Sequence, residues 1–117
     1  MSLTRSFPPQ IGLARVSGAS MLPTLRAGDR LLVLHGARPR TGDVVVVRLP
    51  PTAHGPRPLA VKRLDHVLPD GSWWVTSDGV GTDSTELGAL PAGALLAVAV
   101  LRLPARGRRL SWLRPRR

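Results

Sequence analysis

The sequence predicts a mainly β, barrel-like domain, and three observations lead to this fold class. Twelve glycines and twelve prolines are spread through the 117 residues and interrupt most potential helices. No long segment repeats its apolar residues with the 3.6-residue period of an α-helix. Six short apolar runs instead alternate with turn residues, which is the pattern of an all-β or mainly β barrel-like domain.

The predicted strands are short and are bounded by turn residues. They cover residues 13–16, 29–34, 43–49, 58–67, 72–76 and 94–103. The first ends just before Gly18, Gly28-Asp29 introduces the second, and Gly42-Asp43 introduces the third. A Pro-Asp-Gly turn at residues 69–71 separates the fourth from the fifth.

Three of these segments carry further information. Residues 44–47 are consecutive valines without alternation, which predicts a strand buried on both faces. Residues 52–58 contain two prolines and a glycine, and we expect a surface loop there. The longest apolar stretch, residues 94–101, is much shorter than the ~20 residues that a transmembrane helix needs.

Charge divides the chain into a nearly balanced body and a basic C-terminal segment. The formal net charge is +10, but seven of the 17 basic residues follow residue 101, and no acid follows Glu86. The length permits one domain. We therefore predict a domain at residues 1–104 and a mobile basic tail at residues 105–117. Trp112 and Leu113 in the tail favour contact with an anionic membrane or a protein over contact with nucleic acid.

Several classes of site and location are disfavoured by composition. The absence of cysteine excludes disulfides and a cysteine nucleophile, and the scattered His35, His54 and His66 do not form a metal-binding motif. We expect no metal and no cofactor. Residues 1–10 lack the long apolar segment of a signal peptide. We expect a cytoplasmic protein, with peripheral contact at the inner face of the membrane as the alternative.

A serine in a loop of small residues is the first candidate for chemistry. Ser20 lies between Gly18 and Pro23, in a segment that can present a hydroxyl and backbone N–H groups. Acyl transfer needs a nucleophile and donors for an oxyanion. The alternative is a structural serine, because serine and glycine are common in turns.

A lysine within an apolar strand is the second candidate. The chain has 16 arginines and one lysine, and Lys62 lies in the run Leu-Ala-Val-Lys-Arg-Leu at residues 59–64. If its side chain points inward, burial and the adjacent Arg63 would lower its pKa and make a neutral amine available as a general base. Arginine cannot serve in this way, because its guanidinium stays protonated. The alternative is an exposed lysine on the strand surface.

These residues lie in motifs that resemble those of a known family. Residues 18–25 (Gly-Ala-Ser-Met-Leu-Pro-Thr-Leu) resemble the nucleophile box of type I signal peptidases, the serine–lysine endopeptidases. Residues 28–33 and 42–47 resemble the strands that follow, and residues 61–63 resemble the lysine box. Residues 78–91 resemble the final box. The resemblance covers about residues 14–100, and the boxes follow in the family's order.

The resemblance implies a fold, a mechanism and a kind of substrate. Residues 1–104 would form a catalytic domain of short coiled sheets, as in signal peptidases and repressor-cleavage domains, without a transmembrane helix. Ser20 would attack the scissile carbonyl, and Lys62 would accept the serine proton and later deprotonate water. The N–H of Ser20 would donate to the oxyanion, and Gly18, Met21 and Pro23 would shape the loop. A precursor or leader peptide would bind as an extended strand.

The final box departs from the family at two positions. Thr85 stands where the family has arginine, so the ion pair with Asp83 is either lost or made by another arginine such as Arg63. Gly81 stands where the family has the serine that orients the lysine. Either Thr82 or Ser84 replaces that serine, or the lysine is held less firmly.

Three functions remain open from the sequence. Residues 36–47 most resemble the soluble nickel-type superoxide dismutase maturation proteases, which implies removal of an N-terminal leader from the dismutase precursor. The second is a general signal peptidase that docks peripherally on the membrane through its basic tail. The third is a non-catalytic basic β-domain that binds nucleic acid or a protein partner.

Overall fold

Seven strands, one short α-helix and one 3₁₀ turn make up the computed structural model, which describes residues 10–105 and 109–114. The strands are β1 (Gln10–Arg15), β2 (Arg30–His35), β3 (Val44–Val47), β4 (Ala60–Val67), β5 (Trp73–Thr76), β6 (Leu95–Leu103) and β7 (Ser111–Trp112). The helix α1 (Ser84–Leu87) and the 3₁₀ turn (Ala92–Ala94) lie between β5 and β6. The predicted mainly β class is confirmed.

The strands form one open antiparallel sheet. Its order is β1-β2-β6-β3-β4-β5, so β1 and β5 lie at the two ends. One side of β6 pairs with β2, and the other side pairs first with β3 and then with β7. Strand β6 therefore joins the two halves of the described sheet.

The sheet is covered by apolar side chains on both faces. Val44 and Val46 belong to one buried cluster, and Val45 and Val47 belong to another. All four valines of β3 are buried, as the absence of alternation indicated. The first cluster also contains Met21 from the loop between β1 and β2. That loop is therefore anchored in the core.

The two Gly-Asp pairs form the same kind of turn before β2 and before β3. Gly28 and Gly42 have φ angles of 92° and 90°, which glycine adopts without strain. The carboxylates of Asp29 and Asp43 accept hydrogen bonds from the backbone N–H groups three residues before them. Both aspartates are buried. Shared turn chemistry accounts for the repeated dipeptide.

Strand β7 was not predicted, and it lies within the segment expected to be a mobile tail. Trp112 pairs with Leu101, and the N–H of Leu113 donates to the carbonyl of Val100 at 2.9 Å. Residues 106–108 and 115–117 of that segment lie outside the described residues. The division at residue 104 stays a prediction, and residues 111–114 contact the body of the protein.

Within the described ranges, no helix is long and apolar enough to cross a membrane.

Candidate active site

The candidate nucleophile lies in the loop that connects β1 to β2. Gly18 has a φ of 77°, and the next residues form a turn in which the N–H of Leu22 donates to the carbonyl of Ala19 at 3.1 Å. Met21 and Leu25 are buried on either side of Pro23, which is exposed. Ser20 is half-buried. The loop thus fixes its apolar residues in the core and keeps Ser20 near the surface.

The loop between β1 and β2 (residues 16–29) is called the serine loop here. A second loop, residues 77–83 after β5, packs against it. The N–H of Gly79 donates to the carbonyl of Ser20 at 2.7 Å, and the N–H of Asp78 faces the Sδ of Met21 at 3.5 Å. A Cβ at Gly79 would lie 2.9 Å from the carbonyl oxygen of Leu22. Glycine is required here because any side chain would push the two loops apart.

Lys62 is buried in β4, beside the same second loop. Its side chain is 3% exposed, and its Nζ donates to the Oγ of Ser77 at 3.0 Å. Burial lowers the pKa of Lys62 below its ordinary value, because the interior disfavours the ammonium form. The negative charges of Asp83 and Glu86 act in the opposite direction on this pKa. Because the pKa is lowered on balance, the neutral amine is more accessible to Lys62 than to an exposed lysine.

Gly81 shows that Ser20 and Lys62 approach each other. A Cβ placed on Gly81 would lie 2.5 Å from the Cβ of Ser20 and 3.5 Å from the Nζ of Lys62. The serine Cβ and the lysine Nζ therefore lie no farther apart than the sum of these distances. The structure brings the two sequence-predicted catalytic residues into one site.

The carboxylate of Asp78 joins the second loop to β4 and to the serine loop. The carboxylate of Asp78 accepts two hydrogen bonds from Arg63, at 3.0 and 2.6 Å, and one from the hydroxyl of Thr24. Hydrogen bonding to Arg63 lowers the pKa of Asp78, and hydrogen bonding to Asp78 raises the pKa of Arg63. Arg102 of β6 adds a hydrogen bond to the carbonyl of Thr24 at 2.9 Å.

The structure places Arg63, Asp83 and Ser84 in roles that differ from those considered for the final box. Arg63 pairs with Asp78 and not with Asp83. Asp83 caps α1, where it accepts hydrogen bonds from the N–H and hydroxyl of Thr85, and it also accepts from the N–H of Ser77. The buried hydroxyl of Ser84 accepts a hydrogen bond from the N–H of Val75. Ser84 therefore supports β5 and does not orient Lys62.

Three polar residues of the site were missed at the sequence level, namely Ser77, Thr24 and Arg102. Thr24 is part of the nucleophile box, but only the fold shows that its hydroxyl meets Asp78. Ser77 directly follows a strand and precedes Asp78, which was a local signal for a polar residue at a strand end. Arg102 lies 78 residues from its partner Thr24, and nothing in the local sequence indicates that contact.

In residues 10–105 and 109–114, no group of histidine, aspartate and glutamate side chains could hold a metal ion. An open apolar depression of about 380 Å³ lies elsewhere, and its lining includes Leu49, Pro50 and Pro91. Gly81, whose Cβ position lies beside Ser20, is exposed, and Ser20 is half-buried.

Comparison with known proteins gives one match. A family model described as Peptidase S24-like matches residues 2–83, which is more than half of the chain and includes Ser20, Lys62 and Ser77. No curated protein and no solved structure gives a significant match.

Proposed function

Because the chain belongs to the Peptidase S24-like family, we propose that it is a serine endopeptidase with Ser20 as nucleophile and Lys62 as general base. The observation that carries this proposal is the approach of the only lysine to Ser20. A Cβ placed on Gly81 would lie 3.5 Å from the Nζ of this buried lysine and 2.5 Å from the Cβ of Ser20. Burial also lowers its pKa, as a general base requires.

The proposed reaction uses one amine twice. The neutral amine of Lys62 accepts the hydroxyl proton of Ser20 as Oγ bonds to the scissile carbonyl carbon. The resulting ammonium gives this proton to the leaving amine as the peptide C–N bond breaks, which leaves an ester on Ser20. Lys62 then deprotonates a water that attacks the ester, and the proton returns to Ser20 as the acid product leaves.

The loop supplies the remaining elements of the proposal. The carbonyl of Ser20 is held by Gly79, so the adjacent turn has a fixed direction. In the proposed mechanism the N–H of Ser20 donates to the oxyanion, and the positive φ of Gly18 shapes the approach to it. Met21 and Pro23 support the loop from its buried and exposed sides.

We further propose that the substrate is the N-terminal leader of a precursor protein, and specifically that of nickel superoxide dismutase. The support is the sequence resemblance at residues 18–25 and 36–47. The exposed surface around Gly81 agrees with an extended substrate that lies across the dyad. No cofactor enters this chemistry.

The test combines a precursor with variants of the dyad. The purified chain is incubated with a leader-bearing nickel superoxide dismutase precursor, and mass spectrometry identifies the new N-terminus. Ser20→Ala, Lys62→Ala and Lys62→Arg should each reduce cleavage by at least about 10⁴-fold. Ser72→Ala, which alters an exposed turn hydroxyl bonded to Asp70, is the control.

Two results would separate the parts of the proposal. Normal cleavage by Lys62→Arg would refute the mechanism, because arginine cannot act as the base. Ser20-dependent cleavage of other leader peptides, with the dismutase precursor left intact, would refute only the substrate.

A further inference from the structure

The hydroxyl of Ser77 occupies an unusual place beside the proposed base. Lys62 has its Nζ 3.0 Å from the Oγ of Ser77. Lys62 is 3% exposed, so its amine has little water to bond with. A long side chain buried in this way needs a fixed partner, since lysine has several rotamers of similar energy. Ser77 supplies such a partner.

The backbone of Ser77 is itself held in place. Ser77 directly follows β5, whose last pairing joins Thr76 to Arg63. Its N–H donates to the carboxylate of Asp83 at 3.2 Å, and Asp83 is fixed as the N-cap of α1. The Ser77 hydroxyl therefore projects from a rigid point, which is the requirement for orienting another group.

Position 81 cannot provide the same hydroxyl. A Cβ there would lie 2.5 Å from the Cβ of Ser20 and 3.2 Å from the Oγ of Ser77. The first distance is well below a normal carbon–carbon contact, and the Cβ of Ser20 cannot move without displacing its loop. A serine at position 81 would disturb the nucleophile, and glycine avoids this.

We propose that Ser77 is the positioning residue for Lys62, and that Gly81 is the small residue that makes room for Ser20 in this arrangement. This proposal rests on the proposed dyad. A neutral amine has two N–H bonds and one lone pair. When one N–H donates to Ser77, the lone pair is free to accept the proton of Ser20. Ser77 thus fixes the direction of the base and takes no proton itself.

The single lysine makes this arrangement directly measurable. With ¹³C-labelled lysine, the ε-methylene signal in an NMR spectrum comes from Lys62 alone. A fixed side chain gives the two ε-protons different chemical shifts, and free rotation averages them. We expect two shifts in the parent protein and in Ser77→Thr, and one averaged shift in Ser77→Ala. Ser72→Ala is the matched control, and an unchanged amide spectrum would show that each variant is folded.

Kinetics on the dismutase precursor provide the second measurement. Ser77→Ala should lower kcat by about 10- to 100-fold, because the base is no longer aimed. KM should change by less than about 2-fold, because Ser77 supports the base and not the substrate. Ser77→Thr keeps the hydroxyl and should recover most of kcat. Gly81→Ser should lower kcat and should not rescue Ser77→Ala.

Several outcomes would overturn the proposal. The first is that Ser77→Ala keeps two distinct ε-proton shifts. The second is that the kcat of Ser77→Ala lies within 2-fold of the parent value. The third is that adding Gly81→Ser to Ser77→Ala restores kcat. If the ε-proton shifts collapse in Ser77→Ala but the parent protein cleaves nothing, the contact with Lys62 is supported and the proposed peptidase activity fails.

Discussion

At the scale of single residues, the burial that suits Lys62 to its proposed role as general base also lowers the stability of the fold. A buried amine costs free energy in its charged form, and the fold accepts this cost with only Ser77 as a bonded partner in the described residues. Residues that lower stability at a catalytic centre are common, because chemistry and packing ask for different side chains. This loss of stability can be measured.

Lys62→Met is expected to stabilise the protein while abolishing cleavage. Methionine has a similar length and no charge, so the free energy of unfolding at pH 7 should rise by about 1 kcal/mol. The pKa of Lys62 is lowered in the folded state, so the unfolded chain holds its proton to higher pH than the native protein. The stability of the parent protein should therefore rise with pH above the lowered pKa, and this increase should be absent in Lys62→Met.

Denaturant unfolding at a series of pH values tests this prediction. Ser20→Ala, which keeps the lysine, should show the same rise as the parent protein. A Lys62→Met variant that is less stable than the parent at every pH would contradict the expected cost of the amine.

The sequence allowed Ser20 and Lys62 to be chosen but left their partners open. The single lysine among 16 arginines and the apolar strand around it left a buried and an exposed amine as alternatives, and in the structure Lys62 is buried. The orienting hydroxyl was sought at Thr82 or Ser84, which follow Gly81 within three residues. Ser77 was missed because it meets Lys62 where β5, paired with β4 through Thr76 and Arg63, ends, and strand pairing depends on contacts between distant residues.

At the scale of elements, hydrogen bonds to one carboxylate connect two loops of the candidate site. The serine loop meets the second loop through Asp78, which accepts from both Thr24 and Arg63. Arg63 is adjacent to Lys62 in β4, so the carboxylate of Asp78 links the loop that carries Ser20 to the strand that carries Lys62. The side chain of Asp78 is 17% exposed, and a charged pair so covered is stronger than one on the surface.

Asp78→Asn is expected to weaken both folding and catalysis. Loss of the charge should lower the free energy of unfolding by about 2 kcal/mol at pH 7, and kcat should fall because the serine loop is less firmly held. The pKa of Asp78 is lowered in the folded state. Its stabilising effect is therefore complete above the ordinary pKa of a carboxyl group and is lost as the pH falls through the lowered value.

Urea unfolding and turnover would be compared between Asp78→Asn and Asp65→Asn. Asp65 also bonds to a neighbouring side chain, the imidazole of His66 at 2.6 Å, but the side chains of both residues are about half exposed. Equal effects of the two substitutions would show that the pair at Asp78 has no special role.

The positions of the strands were easier to predict than the pairing between them. Turn residues and apolar runs gave six strands near their observed places, because these signals are local. The order β1-β2-β6-β3-β4-β5 was not predicted, since pairing depends on contacts between distant residues. Strand β7 has two residues and owes its existence to β6, so its own sequence carried almost no signal.

At the scale of the whole molecule, arginines of the basic C-terminal segment bond to groups in the rest of the protein. The guanidinium of Arg114 donates to both carboxylate oxygens of Asp43, which is 3% exposed. Arg102 joins the Thr24 carbonyl to the hydroxyl of Ser111 in β7. The excess of positive charge therefore includes arginines that neutralise or bond buried groups, in addition to those on the surface.

Arg114→Met is expected to destabilise the whole protein. Asp43 would remain buried without its cation, and the free energy of unfolding should fall by about 3 kcal/mol. Thermal unfolding would compare this variant with Arg109→Met, which replaces an exposed arginine of the same segment and for which we expect little change. If Arg114→Met unfolds at the parent temperature, the contact of residues 111–114 with the body has no energetic importance.

The burial of the only lysine also has a practical consequence. Reagents that acylate amines attack the neutral, accessible form, and the ε-amine of Lys62 is covered while every other basic side chain is arginine. Dyes or biotin coupled through such reagents would therefore leave Lys62 of the folded protein unmodified, and the proposed dyad would stay intact. Unfolding would uncover this amine, so the labelling of Lys62 would report on the loss of the fold.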